Sequence, residues 1–209
     1  MEKQCTKVKM CGMMRPEDIL GANAVRPDYV GFIFAENRRR TVSAEAVREM
    51  MSKLDEGIQT VGVFLNQDVH FVADTANACG LDYIQLHGSE DGEYIKSLKS
   101  VTQIPVIQAF VVKDETKIDE ANASAADFVL LDSGTGSGES FSWEILTKVT
   151  RPYFLAGGLS PENAKEAIDA YHPYALDVSS GIETDGRKDP VKMQKFMQEV
   201  MQADKEEKP

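Results

Sequence analysis

The sequence predicts an α/β chain folded as a single (β/α)8 barrel. Short apolar runs alternate with amphipathic stretches eight times along its 209 residues. Each run is strand-length and rich in Val, Ile, Leu or aromatic side chains. No Pro/Gly/Ser-rich linker or low-complexity block divides the chain. Strict alternation implies parallel strands joined by right-handed crossovers. Eight units spaced by about 25 residues close into a barrel, whereas an open doubly wound sheet has about five or six strands.

The expected strands, in order, are Lys7–Cys11, Tyr29–Phe34, Thr60–Leu65, Tyr83–Leu86, Pro105–Val111, Phe128–Leu131, Tyr153–Ala156 and Ala175–Ser179. Helices are expected between them. After the second strand, Ser43 is placed to cap a helix whose apolar face is Ala46, Val47, Met50, Met51 and Leu54. The stretch Asp114–Ser124 is polar and nearly without an apolar stripe, and reads as a short helix or a loop. Ser160-Pro161-Glu162-Asn163 offers a Ser cap with Pro at the first helical position. Asp189-Pro190 opens the last helix in the same manner, with Val191, Phe196 and Val200 expected inside. The charged tail 203–209 is expected to fray.

Composition narrows the function. A formal net charge of −11 argues against nucleic acid as a partner, because duplex binding needs Lys and Arg against phosphates. It leaves room for a small phosphorylated ligand, which backbone N–H groups can hold. No apolar run approaches the roughly 18 residues of a membrane helix. Met1-Glu2-Lys3-Gln4 lacks the apolar core of a signal peptide, so a soluble, cytoplasmic chain is expected. Cys5, Cys11 and Cys79 form no C-x-x-C pair, so neither a zinc site nor a redox couple is indicated.

In this fold the strand C-termini form the active-site rim, so polar residues ending a strand are informative. Cys11 ends the first strand with Lys9 one pleat below it on the same face. That lysine would favour the thiolate, although the spacing alone favours Cys11 as core filler and Lys9 as a buried structural cation. Asp132 follows the apolar run of the sixth strand, where desolvation would raise its pKa and make it a proton donor. An N-cap or turn Asp before Ser133-Gly134 fits the sequence equally. His87 shares a face with Gln85 on the fourth strand, and Asp177 shares one with Ser179 on the eighth.

Gly157-Gly158 follows the seventh strand and Ser179-Ser180-Gly181 the eighth, in the two loops where this fold often binds phosphate. The Arg38-Arg39-Arg40 run follows the second strand, either as a solvated charge run or as a guanidinium held ready for a ligand carboxylate.

These residues fall into blocks. Lys9-Met10-Cys11-Gly12, Arg15-Pro16-Glu17-Asp18, Gly31-Phe32-Ile33-Phe34 and Arg40-Thr41-Val42-Ser43 come first. Val61-Gly62-Val63-Phe64, Gln85-Leu86-His87-Gly88, Leu131-Asp132 and a Gly-rich stretch ending Phe141-Ser142-Trp143 come next. Leu155-Ala156-Gly157-Gly158-Leu159 and Asp177-Val178-Ser179-Ser180-Gly181 complete the set. In this order, over nearly the whole chain, the blocks resemble the phosphoribosylanthranilate isomerases of tryptophan biosynthesis. Met13-Met14, the short loop Ser133–Gly138 and Ser142 depart from the family pattern, and none of them touches Cys11 or Asp132.

The resemblance implies an Amadori rearrangement of a phosphoribosyl substrate, without metal or cofactor, with Cys11 as general base and Asp132 as general acid. It places substrate phosphate at Gly157, Gly158, Ser179, Ser180 and Gly181, and the anthranilate carboxylate at Arg40, which register alone favours over Arg39. Lys9, His87 and Asp177 become further substrate-site residues. Another phosphosugar barrel enzyme, or a catalytically silent phosphate-binding barrel, is the alternative. Cys11 ending the first strand disfavours the former, and the presence of both Cys11 and Asp132 the latter. Monomer and homodimer both remain open.

Overall fold

The computed structural model describes residues 5–134 and 143–206. Eight parallel strands close into a barrel in sequence order: β1 (Lys7–Cys11), β2 (Tyr29–Ile33), β3 (Gln59–Phe64), β4 (Tyr83–Leu86), β5 (Val106–Val111), β6 (Phe128–Asp132), β7 (Tyr153–Ala156) and β8 (Ala175–Val178). The seam pairs β8 with β1 and sets Lys9 beside Asp177. Around the strands lie α1 (Pro16–Val25), α2 (Ala44–Met51), α3 (Val69–Cys79), α4 (Gly92–Val101), α5 (Glu115–Ala123), α6 (Ala164–Tyr171) and α7 (Pro190–Glu206). Between β6 and β7 the described residues form a 3-10 helix, Trp143–Lys148. After β8 a short turn leads into a hairpin of β9 (Glu183–Thr184) and β10 (Arg187–Lys188). No helix among the described residues is long and apolar enough to cross a membrane.

Helix starts follow side-chain capping. Ser43 Oγ accepts from the Ala46 amide at 3.3 Å, as expected. Asp68, Asp91 and Asp114 cap α3, α4 and α5 in the same way. The segment that could have been a loop is therefore a helix, for the Asp114 cap and burial of Ile118 and Ala121 outweigh its polar composition. Three expectations are corrected. Ser160-Pro161-Glu162 forms a turn, closed by the Ser160 amide donating to Asn163 Oδ1 at 2.8 Å, and α6 starts only at Ala164. Val191 is 74% exposed, because the Asp189 cap sets it on the outer side of the first turn. The tail is helical through Glu206 with Ala203 fully buried; its last three residues lie outside the described set, as does the Gly-rich stretch 135–142.

Strand alternation sorts side chains into two cores. Outward residues such as Val8, Met10, Val30, Phe32, Val129 and Leu155 pack against the helices. Inward residues Tyr29, Val61, Ile107, Leu130 and Phe154 fill the barrel. Large rings gather at the strand N-termini: Tyr29, Tyr83, Phe128, Phe154 and Tyr174 meet at centroid distances of 5.5–6.0 Å, largely edge to face. The Tyr29 and Tyr174 hydroxyls share a hydrogen bond of 2.9 Å. Three of these rings follow an aspartate that accepts from the backbone of the preceding strand: Asp28 from Val8, Asp82 from Thr60 and Asp127 from Val106, at 2.8–2.9 Å. An Asp-aromatic step at the start of β2, β4 and β6 therefore both sets register and builds a floor. Smaller inward residues higher up (Gly31, Ala109, Ala156) leave the open space at the opposite end.

Phe154 is fully buried in this floor. Phe154→Ala should cost about 3–5 kcal/mol of unfolding free energy in denaturant titration. Phe71→Ala on α3, half exposed, should stay within about 0.5 kcal/mol of wild type.

Candidate active site

At the C-terminal end of the strands lies a cavity of about 250 Å³. Its wall includes Cys11 from β1, Asp132 at the end of β6, Asp177 from β8, and Gln85 with His87 at the end of β4. Arg40, Gly157, Gly158, Ser179 and Ser180 reach it from the loops. The barrel thus brings nine of the eleven expected site residues to one wall. Lys9 lies beneath that wall, with no exposure, its Nζ 2.8 Å from Asp177 Oδ2. Gly181 stands behind it, so close to the Leu159 carbonyl that no Cβ would fit.

Two glycines make room for the reactive groups. A Cβ on Gly31, the β2 partner of Cys11, would stand 2.8 Å from Cys11 Sγ. One on Gly157 would stand 2.6 Å from Asp132 Oδ1 and collide with Ser133. Gly157 also has φ +94°, a conformation costly to any other residue.

Both expected pKa directions are reversed. Burial pushes the Cys11 thiol up, and although Lys9 opposes this, Asp177 compensates the lysine's charge, so the net direction is upward. Lys9 itself stays protonated: burial lowers its pKa, but Asp177 and Cys11 more than restore it. Burial also pushes Asp132 up, but contact with His87 and the Gly134 amide outweighs this and holds it below the usual carboxylate range. Asp132 also makes the turn contact, its Oδ1 accepting from the Gly134 amide at 2.9 Å. Oδ2 is left facing His87 Nε2 at 3.5 Å. Gln85 Nε2 lies 2.9 Å from His87 Nδ1, and when the amide donates there the ring proton sits on Nε2, toward Asp132.

Arg40 and Arg39 part company. Arg40 lines the cavity, while Arg39 is 53% exposed. Both donate to Glu183, Arg40 through Nε at 2.6 Å and Nη2 at 3.0 Å. Lys188 adds a third cation at 2.9 Å. Sequence reading overlooked Glu183 and Lys188. The available signal was the Asp185-Gly186 turn, whose positive φ values of 50° and 74° fold the hairpin that carries them. Gln85 Oε1 and Asp177 Oδ1 are buried without a hydrogen-bond partner among the described residues. Both residues line the cavity, but these two atoms are turned away from its open space.

A closed parallel barrel with a thiol, a carboxylate and Gly/Ser loops on its C-terminal rim defines a barrel built for acid–base work on a small anionic ligand. Comparison with known proteins narrows this class. The family model of N-(5'phosphoribosyl)anthranilate isomerase matches residues 8–199. The enzyme of that name from Thermoanaerobacter sp. (strain X514) is 41% identical, over 93% of this chain and 97% of its own length. The phosphoribosyl anthranilate isomerase structure from Thermotoga maritima superposes with a TM-score of 0.86 at 33% identity, covering 94% of this chain and 99% of that one. A family structure holding reduced 1-(o-carboxyphenylamino)-1-deoxyribulose 5-phosphate has a TM-score of 0.83 at 33% identity, with the same coverage. The chain belongs to the phosphoribosylanthranilate isomerase family.

Two titrations test the site's electrostatics. The ultraviolet thiolate absorbance lost in Cys11→Ala should titrate above the ordinary thiol value of about 8.5. Glu183 is held down to about 2 from an ordinary 4.5, by Arg40, Lys188 and Arg39 against the opposing effect of burial. A depressed carboxylate stabilises the fold above its unfolded pKa and loses that contribution as pH falls through the folded value. The stability gap between wild type and Glu183→Gln, read from denaturant unfolding, should be widest above pH 4.5 and close toward pH 2.

Proposed function

We propose that this chain converts N-(5′-phosphoribosyl)anthranilate into 1-(o-carboxyphenylamino)-1-deoxyribulose 5-phosphate, as a step of L-tryptophan biosynthesis. The observation that carries the reading is Cys11 and Asp132 on one cavity, with the two Gly/Ser loops and Arg40 at its edge. In this reading the loops at Gly157-Gly158 and Ser179-Ser180-Gly181 hold the phosphate, and Arg40 receives the anthranilate carboxylate. Asp177 and Gln85, polar residues on the same wall, suit ribose hydroxyls.

Asp132 protonates the ribose ring oxygen from Oδ2, the oxygen not tied to Gly134. The C1′–O bond breaks and the anilino nitrogen lone pair forms a Schiff base. Cys11 thiolate then takes the C2′ proton, made acidic by the adjacent iminium. The released electron pair forms the C1′–C2′ double bond and neutralises the nitrogen. The resulting enolamine takes a proton at C1′, gives up the proton of its 2′-hydroxyl and becomes the ketone. Carbon 2′ is oxidised as C1′ is reduced, so the redox balance closes within the substrate. Lys9 keeps a positive charge beneath the sulfur throughout.

The wider reading is of one domain over residues 1–209, acting in the cytoplasm as a monomer or homodimer on this small molecule. The net charge of −11 favours neither nucleic acid nor an anionic membrane surface.

The test follows loss of anthranilate-type fluorescence from substrate generated in situ. Wild type should turn over, and Cys11→Ser and Asp132→Asn should each lower kcat by on the order of 10²–10⁴ while KM changes only a few-fold. Folded wild type without turnover would refute the assigned reaction. Full kcat in either variant would remove that residue from its role.

A further inference from the structure

Glu183 stands just past the Ser179-Ser180-Gly181 loop, at the base of the β9–β10 hairpin, with a side chain only 5% exposed. Its carboxylate binds the Nε–Nη2 edge of Arg40 through both oxygens. The same carboxylate receives Arg39 Nη2 at 2.5 Å and Lys188 Nζ at 2.9 Å. Lys188, itself buried, also donates to the Ser179 carbonyl at 3.0 Å. Thus one ammonium joins the backbone of the loop after β8 to the carboxylate that grips Arg40. The arginine stem is constrained on another side as well. Gly12 lies so close that a Cβ there would stand 2.5 Å from Arg40 Cδ.

A guanidinium has two edges that can meet a carboxylate with two parallel N–H bonds. Glu183 occupies one of them, leaving Nη1 and the second Nη2 proton. An arginine free on its stem would sample many rotamers and lose that freedom on binding. Held at Nε, it presents one edge in one place. Three cations against one carboxylate also leave a positive excess beside a cavity in an otherwise acidic chain.

We propose that Glu183 is a positioning residue for substrate binding, fixing the Arg40 guanidinium so that its remaining edge meets the anthranilate carboxylate. This rests on the assignment of Arg40 to that carboxylate. Glu183 touches no reacting atom, so its loss weakens capture of the substrate and spares the proton transfers.

The experiment measures kcat and KM on substrate generated in situ for Arg40→Ala, Glu183→Gln, Glu183→Asp and the double variant Arg40→Ala/Glu183→Gln, with a thermal melt of each. Glu183→Gln should raise KM about tenfold, the usual weight of a bidentate charged contact, with kcat within about threefold of wild type. The double variant should match Arg40→Ala alone, because Glu183 acts only through Arg40. Glu183→Asp keeps the charge but draws the carboxylate back, and should also raise KM. It decides the matter should Glu183→Gln melt below the assay temperature. Wild-type KM in a folded Glu183 variant, beside a raised KM in Arg40→Ala, would overturn the proposal. So would KM increases that multiply in the double variant. Unchanged KM in Arg40→Ala would instead refute the Arg40 assignment, and the role of Glu183 with it.

Discussion

The Lys9–Asp177 ion pair holds together two things that a barrel must achieve at once. It spans the seam where β8 meets β1, and it lies directly under Cys11. Closure of the barrel brings together residues 168 positions apart in the chain, and the buried lysine admits only a register that gives it a partner. Removing one member of such a pair leaves an uncompensated buried charge, at a cost of about 3–5 kcal/mol. The same pair governs the cavity. Burial acts on Cys11 more strongly than the ammonium does, Asp177 adds to it, and the thiol stays protonated.

Side-chain size along the barrel axis decides where that chemistry can occur. Rings on the N-terminal layer close one end, and the Asp-aromatic steps at Asp28-Tyr29, Asp82-Tyr83 and Asp127-Phe128 hold them in register. At the other end small residues withdraw from the axis. Gly31 and Gly157 give space to the very atoms proposed to move protons, Cys11 Sγ and the Asp132 carboxylate. The cavity is the complement of the floor: both arise from one alternation of inward side chains read from bottom to top.

This division explains what the sequence reveals. Strand and helix order is local information, written in apolar periodicity, and all eight strands lie where periodicity puts them, with ends differing by a residue or so. Convergence of Cys11, His87, Asp132 and Asp177 follows from fold class plus strand alternation, so it too was legible. The α6 start was missed because Ser160-Pro161 suits a turn as well as a helix, and only the Asn163 side chain decides between them. Glu183 was missed because its partner Arg40 lies 143 residues away, and nothing local marks a carboxylate as a clamp. The pKa directions were misjudged for a related reason. Each is a sum of opposing effects, and Lys9 beside Cys11 was weighed without the burial, and then the aspartate, that outweigh it.

Those directions bear on the proposed reaction in a specific way. The resting site carries its proton on the Cys11 sulfur, with the Asp132 carboxylate ionised. The rearrangement needs the reverse, a thiolate and a carboxylic acid. The two arrangements contain the same number of protons and the same charge, so entering the active one requires a shift of a proton within the site, not exchange with a particular pH. Its share of the population falls about tenfold for each unit separating the two pKa values. The few molecules in that form are correspondingly effective, since a thiolate of raised pKa is a stronger base and a carboxylic acid of lowered pKa a stronger acid. A bound phosphate and carboxylate bring negative charge and displace water, which raises the pKa of a carboxyl group and of a thiol alike. Binding therefore favours the active arrangement only as far as it acts more strongly on Asp132 than on Cys11. Contact with His87 and with the Gly134 amide holds Asp132 down, so a ligand that loosened either contact would favour the acid.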